Sequence, residues 1–91
     1  SSRMAKLMNE KTIRALVAAG AVKKIKIIGD GAFFHAEIFT PNGSVIAQTN
    51  KGDIKTWSSL DTSAKWVRSL GIGEAQLHLA KWRPDQRALT L

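Results

Sequence analysis

Residues 22–50, VKKIKIIGDGAFFHAEIFTPNGSVIAQTN, decide the fold of this chain. Apolar and polar side chains alternate along most of the stretch, which is the period of β-strands that bury one face. Gly29-Asp30-Gly31 and Pro41-Asn42-Gly43 interrupt the alternation with turn-forming residues. Two connections this short predict an antiparallel meander of three strands, at residues 22–28, 32–39 and 44–50.

The alternation also assigns each side chain of the first two strands to one face of the sheet. One face takes the more apolar set: Ile25, Ile27, Ala32, Phe34, Ala36 and Ile38. The other face takes the more polar set: Lys24, Lys26, Ile28, Phe33, His35, Glu37 and Phe39. Two aromatic rings on the second face, Phe33 and Phe39, predict a further packing surface for the C-terminal tail (Leu89, Leu91) or a partner.

A helix is predicted before the meander. Asn9 can cap its start, because its side-chain oxygen can accept from the free N–H groups of the first turn. Ile13, Leu16 and Val17 follow the spacing of one buried helical stripe. Gly20 ends the helix, since glycine adopts the left-handed conformation at low cost.

A second helix and a last strand are predicted after the meander. Ser58 or Ser59 caps this helix and Gly71 ends it. Its predicted buried stripe comprises Leu60, Ala64, Val67 and Leu70. Residues 74–80 alternate again, with Ala75, Leu77 and Leu79 facing inward. The order α-β-β-β-α-β predicts an α+β fold in two layers, with an antiparallel meander sheet packed on two helices.

Length and composition limit the range of functions. The chain has 91 residues, a formal charge of +7 and no cysteine. This length predicts one domain, placed at residues 4–82, with residues 1–3 as an artificial extension and residues 83–91 as a tail. No signal peptide or bilayer-spanning run is recognised, so we expect a cytoplasmic protein without membrane contact.

The sequence offers little for catalysis. His35 and His78 are the two histidines, and neither has the spacing of a metal site or a catalytic triad. Glu37 shares a strand face with His35, but no nucleophile or metal ligand set completes the pair. We therefore expect no enzyme activity, no metal and no cofactor.

Basic residues supply the clearest functional signal. Residues 1–31 contain seven lysines and arginines against two acidic residues, so they carry +5 of the net charge. Clustered cations of this kind bind phosphate, because neutralised phosphates release their counterions. The predicted DNA contacts are Lys11, Arg14, Lys24 and Lys26, with Lys65 and Arg68 as a secondary set. The alternative is that the lysines only solvate a surface and protect a strand edge.

Three segments carry a family resemblance. They are KTIRALVAAGAV at residues 11–22, LDTSAKWVRSLGIG at residues 60–73 and AKWRP at residues 80–84. Over nearly the whole of residues 4–91 the chain resembles the small ParC-like partition-associated proteins of bacterial plasmids and integrating elements. The resemblance implies a non-enzymatic accessory protein of plasmid or mobile-element maintenance that acts with DNA or with partition proteins.

Two hypotheses follow. In the first, the chain binds DNA, mainly through backbone contacts of the basic residues. In the second, it is a protein–protein adaptor, in one version a homodimer, that binds partition proteins through an exposed sheet face (Phe33, Phe39) or an open strand edge.

Overall fold

The computed structural model describes residues 6–83. The expected extension at residues 1–3 and the tail leucines, Leu89 and Leu91, lie outside the described residues. The elements in chain order are β1 (Lys6–Asn9), α1 (Glu10–Ala18), β2 (Lys24–Gly31), β3 (Phe33–Thr40), β4 (Gly43–Gln48), α2 (Leu60–Ser69) and β5 (Gln76–Trp82). Within this range, neither helix has the length and apolar character needed to cross a membrane.

The strands form one mixed sheet in the order β1-β4-β3-β2-β5. The meander of β2, β3 and β4 is antiparallel as predicted, and β1 and β5 add to its two edges in parallel. The predicted α+β arrangement in two layers is confirmed. Strand β1 was not predicted, because four residues are too few to show the apolar–polar alternation of a strand.

The apolar face of the sheet packs against both helices. Side chains of β2, β3 and β4 alternate between buried and partly exposed, as their sequence pattern requires. The core comprises Ile13, Ile25, Ile27, Phe34, Ala36, Ile38, Val45, Ala47, Trp66, Val67 and Leu70. The predicted caps are also confirmed: Asn9 accepts from the N–H of Thr12 at 2.9 Å, and Ser59 accepts from the N–H of Thr62 at 3.3 Å.

The buried face of α2 differs from the predicted one, which comprised Leu60, Ala64, Val67 and Leu70. Leu60 and Ala64 are exposed, and Ser63 and Trp66 are buried instead. The ring of Trp66 lies 5.1 Å from that of Trp57, and burying this large ring turns the helix. Ser63 is accommodated because its hydroxyl donates to the carbonyl oxygen of Leu60 at 2.7 Å.

Strand β5 also departs from its prediction. It runs over Gln76–Trp82 and not 74–80, and its pairing with β2 contains one irregularity after His78. Its leucines were expected to face inward, yet Leu77 and Leu79 remain 43% and 42% exposed. The reason is that α2 packs on β3, at the centre of the sheet, and leaves β5 uncovered.

Polar side chains join the two helices beside the core, in exposed or partly buried hydrogen bonds. The guanidinium of Arg14 donates to the carbonyl oxygen and the hydroxyl of Ser69 at 2.9 and 3.0 Å. It also donates to the carboxylate of Glu10 at 2.7 Å, and that carboxylate accepts from the indole N–H of Trp66. The hydrogen bonds from Arg14 and Trp66 hold the pKa of Glu10 below its usual value.

The lowered pKa of Glu10 makes a stability contribution that depends on pH. Glu10→Gln is expected to lower the free energy of unfolding at pH 7 by about 0.5 kcal/mol, because the Arg14 pair is partly exposed and screened. The charged carboxylate stabilises the fold above its unfolded-state pKa of about 4.5, and this gain is lost as the pH falls through the lowered folded-state pKa. Urea denaturation at pH 7 and pH 3 checks this: the difference in unfolding free energy between the two proteins should be smaller at pH 3 than at pH 7. An equal difference at both values would contradict the assignment.

Candidate nucleic-acid interface

Among the described residues, the face of the sheet opposite the helices is uncovered, and we call it the open face. The strand register places on it, among others, Lys24, Lys26, Ile28, Asp30, Phe33, His35, Glu37, Phe39, Ser44, Ile46, Gln76 and His78. Lys24 is paired with Phe39, and Lys26 with Glu37. The face thus combines aromatic rings, cations and hydrogen-bonding groups on regular strands.

Two lysines share one aromatic ring at one end of the open face. The ammonium of Lys24 lies 5.1 Å from the ring centroid of Phe39, and that of Lys26 lies 5.0 Å from it. Lys24 is directly opposite Phe39 on the neighbouring strand, and Lys26 is its diagonal neighbour. The ring attracts both cations and keeps them together at the surface, where both retain free N–H donors for phosphate oxygens.

Phe33 lies at the other end of the open face. Its side chain is 47% exposed, a high value for a phenylalanine on a regular strand. Phe33 and Phe39 belong to the same face of β3 and are six residues apart, which corresponds to about 20 Å along the strand. His35 lies between them, so three ring side chains follow one strand.

A shallow depression lies between β2, β3 and β5. Its volume is about 370 Å³, and its lining includes His35, Glu37, His78 and Lys81. Burial lowers the pKa of His35, against the opposing influence of Asp30 and Glu37. The lowered pKa favours the uncharged form of His35, whose ring can stack or form hydrogen bonds. Among residues 6–83, no group of three acidic or histidine side chains is arranged to bind a metal.

The structure divides the six predicted DNA contacts between two surfaces. Lys24 and Lys26 are on the open face, whereas Lys11, Arg14, Lys65 and Arg68 belong to the two helices on the other side of the sheet. They do not form one patch.

Two of the helical residues are also engaged within the protein. Arg14 bonds to Glu10 and Ser69, and the ammonium of Lys65 lies 3.2 Å from the carboxylate of Asp61. The hydrogen bonds of Arg14 connect α1 to α2, so this side chain has a structural role that does not depend on DNA.

Both residues predicted to bind a partner, Phe33 and Phe39, are on the open face as their sequence pattern indicates. The open face also includes residues that sequence reasoning did not select, above all Gln76 and His78 of β5. The sequence showed that Gln76 and His78 alternate with apolar residues. Their position beside Lys26 and Ile28 was not readable, because β5 pairs in parallel with β2, some fifty residues earlier in the chain.

Comparison with known proteins found no match to the chain among protein-family models, curated proteins or solved structures.

Proposed function

We propose that this chain is a non-enzymatic DNA-binding protein that binds through its open face. The observation that supports this most is the pair of lysine ammonium groups on the ring of Phe39, on an uncovered sheet that also exposes Phe33. Nucleic-acid binding needs cations for phosphates and flat rings for bases, and the open face offers both. From the resemblance to ParC-like proteins, we further propose that this activity serves plasmid or mobile-element maintenance in the bacterial cytoplasm.

The shape of the open face favours single-stranded DNA over duplex. Five strands spaced by about 4.8 Å span about 19 Å, whereas the major groove of B-DNA is about 12 Å wide. A sheet of this width does not enter the groove. A single strand can instead lie along β3, with bases on Phe33 and His35 and phosphates at Lys24 and Lys26.

Acidic residues limit where the phosphates can lie. At the Lys24 end, Lys24 and Lys26 outnumber Glu37, which faces Lys26, whereas at the Phe33 end Asp30 is matched by Lys81 of β5. The backbone of the nucleic acid is therefore drawn to the Lys24 end, and the bases extend toward Phe33. Two phosphate contacts predict a shallow salt dependence, with a slope of about −1.4 in log K against log[salt] for a single strand.

A salt titration tests the proposed function. Fluorescence anisotropy with a labelled oligothymidine of about ten nucleotides and with a duplex of similar length gives both affinities. We expect tighter binding of the single strand and a decline in its affinity with salt. Absence of binding to both at low salt would refute DNA binding, and preference for the duplex would refute the stacking arrangement.

Phe33→Ala isolates the stacking contribution. The substitution is expected to weaken binding of the oligothymidine about tenfold, since stacking of one base on an aromatic ring contributes about 1–3 kcal/mol. Leu60→Ala is the control, because Leu60 is also an exposed large apolar residue, at 38%, and belongs to α2 on the other side of the sheet. Equal affinities of the two variants would contradict a role of Phe33.

The adaptor hypothesis stays open because the open face also exposes apolar groups. Leu7 is 42% exposed and is paired with Ile46, which extends an apolar strip to the β1 edge. A partition protein from the same host element is the expected partner. Calorimetric titration with that protein at low and high salt would support the hypothesis if affinity were insensitive to salt and lost in Phe33→Ala.

A further inference from the structure

We propose that two copies of this chain associate by antiparallel pairing of their β5 strands about a twofold axis at Leu77. This interaction is separate from the open face and from DNA binding. It rests on three features of β5: an unpaired edge, exposed leucines, and opposite charges at its two ends that would meet in an antiparallel pair of copies.

The first feature is the edge. Strand β5 is the last strand of the sheet, and no strand within residues 6–83 pairs with its outer side. Its backbone N–H and C=O groups on that side are available to another strand. The other edge strand, β1, has four residues and β5 has seven, so β5 offers the longer edge for pairing with another strand.

The second feature is the apolar surface beside α2. Leu77 and Leu79 are exposed on the helix side of the sheet, and Leu60 of α2 is 38% exposed nearby. The groove between α2 and β5 has a volume of about 520 Å³, and its lining includes Leu60, Ala64, Ile72 and Leu77. Exposed leucines on a free strand edge are a site of association.

The third feature selects the register. An antiparallel pair centred on Leu77 places Leu77 against its own copy, and Ala75 against Leu79 of the second copy. Gln76 then meets His78 of the second copy, both of which can form hydrogen bonds. The irregularity of β5 lies between His78 and Lys81, so it leaves the central pairs of Leu77, Gln76 and His78 intact. Each leucine thereby gains an apolar neighbour.

Charge supports the same orientation. Glu74 precedes β5, whereas Lys81 and Arg83 lie at its end. An antiparallel pair brings Glu74 of each copy beside Lys81 of the other, at both ends of the interface. A parallel pair would place each of these charges beside its own copy, which is unfavourable. The contact is thus closed and isologous, as expected for a twofold dimer.

A single introduced thiol tests the interface, since the chain has no cysteine. Leu77→Cys is expected to form a disulfide-linked dimer under mild oxidation, because the two thiols face each other at the axis. Leu7→Cys is the matched control, with the same residue type and a nearly equal exposure on the opposite edge strand. Equal or preferential cross-linking of Leu7→Cys would overturn the proposal.

Charge reversal gives an independent test without cross-linking. Sedimentation equilibrium of the full chain at about 1–500 μM is expected to give a mass that rises from one chain toward two. Glu74→Lys is expected to weaken the dimer about tenfold, and Glu74→Lys combined with Lys81→Glu to restore it. A chain that remains monomeric throughout, or a double variant as weak as the single one, would overturn the proposal. Dimerisation that appears only after residues 84–91 are removed would indicate that the tail, and not a second copy, covers β5.

Discussion

Replacing Gly29 with alanine is expected to lower the free energy of unfolding by about 2 kcal/mol. A Cβ on Gly29 would lie 2.8 Å from the Cβ and 3.0 Å from the Cγ of Trp82, and 3.2 Å from the Cε1 of Phe34. These atoms belong to packed side chains, since the rings of Phe34 and Trp82 are 5.3 Å apart. This loss of stability is the opposite of the usual effect, because replacing a strand glycine with alanine normally stabilises a protein by about 0.5–1 kcal/mol.

Urea denaturation of the purified variant measures this loss. Gly73→Ala is the matched control, because neither glycine has a positive φ and a Cβ on Gly73 has no neighbour within 4 Å. The control is expected to be neutral or slightly stabilising. If Gly29→Ala were as stable as Gly73→Ala, the packing of Trp82 on β2 described above would be wrong.

Reversing both charges in Lys24→Glu/Lys26→Glu is expected to reduce affinity for the oligothymidine at least about hundredfold. Both changes remove a phosphate contact and place a carboxylate where the nucleic-acid backbone is expected. They also remove both ammonium groups from the ring of Phe39. Anisotropy at low salt measures the affinity, and circular dichroism checks that the sheet remains folded.

Lys11→Glu/Lys65→Glu is the control for net charge. It makes the same change in charge at exposed positions on the helix side of the sheet. We expect it to change affinity by less than about threefold, the effect of a distant charge in screening salt. Equal losses in both double variants would mean that general charge, and not the open face, attracts the DNA.

Local sequence signals were sufficient for the centre of the fold. The alternation of residues 22–39 and the two short turns define the meander because each depends on neighbouring residues only. The caps at Asn9 and Ser59 were equally readable, since a cap is a contact over three residues. The orientation of α2 was not readable, because it depends on where Trp66 meets Trp57 in the folded chain.

The candidate site was predictable only in part. The sequence identified Lys24, Lys26 and the two phenylalanines of the open face, because strand alternation places each of them on a face. Sequence reasoning also grouped these lysines with Lys11 and Arg14 as DNA contacts. The order of charges along the chain does not show that α1 packs on the opposite side of the sheet. The contact of Arg14 with Ser69 spans 55 residues and has no local signal.

Amide chemical-shift mapping with unlabelled oligothymidine tests the central claim most directly, because it locates the bound nucleic acid on the sheet. The open-face account predicts that the largest shifts occur along β2 and β3, at Lys24, Lys26, Phe33, His35 and Phe39, with smaller ones at Gln76 and His78. The amides of α1 should remain unchanged. Shifts concentrated on Lys11, Lys65 and Arg68, with β2 and β3 unaffected, would contradict it.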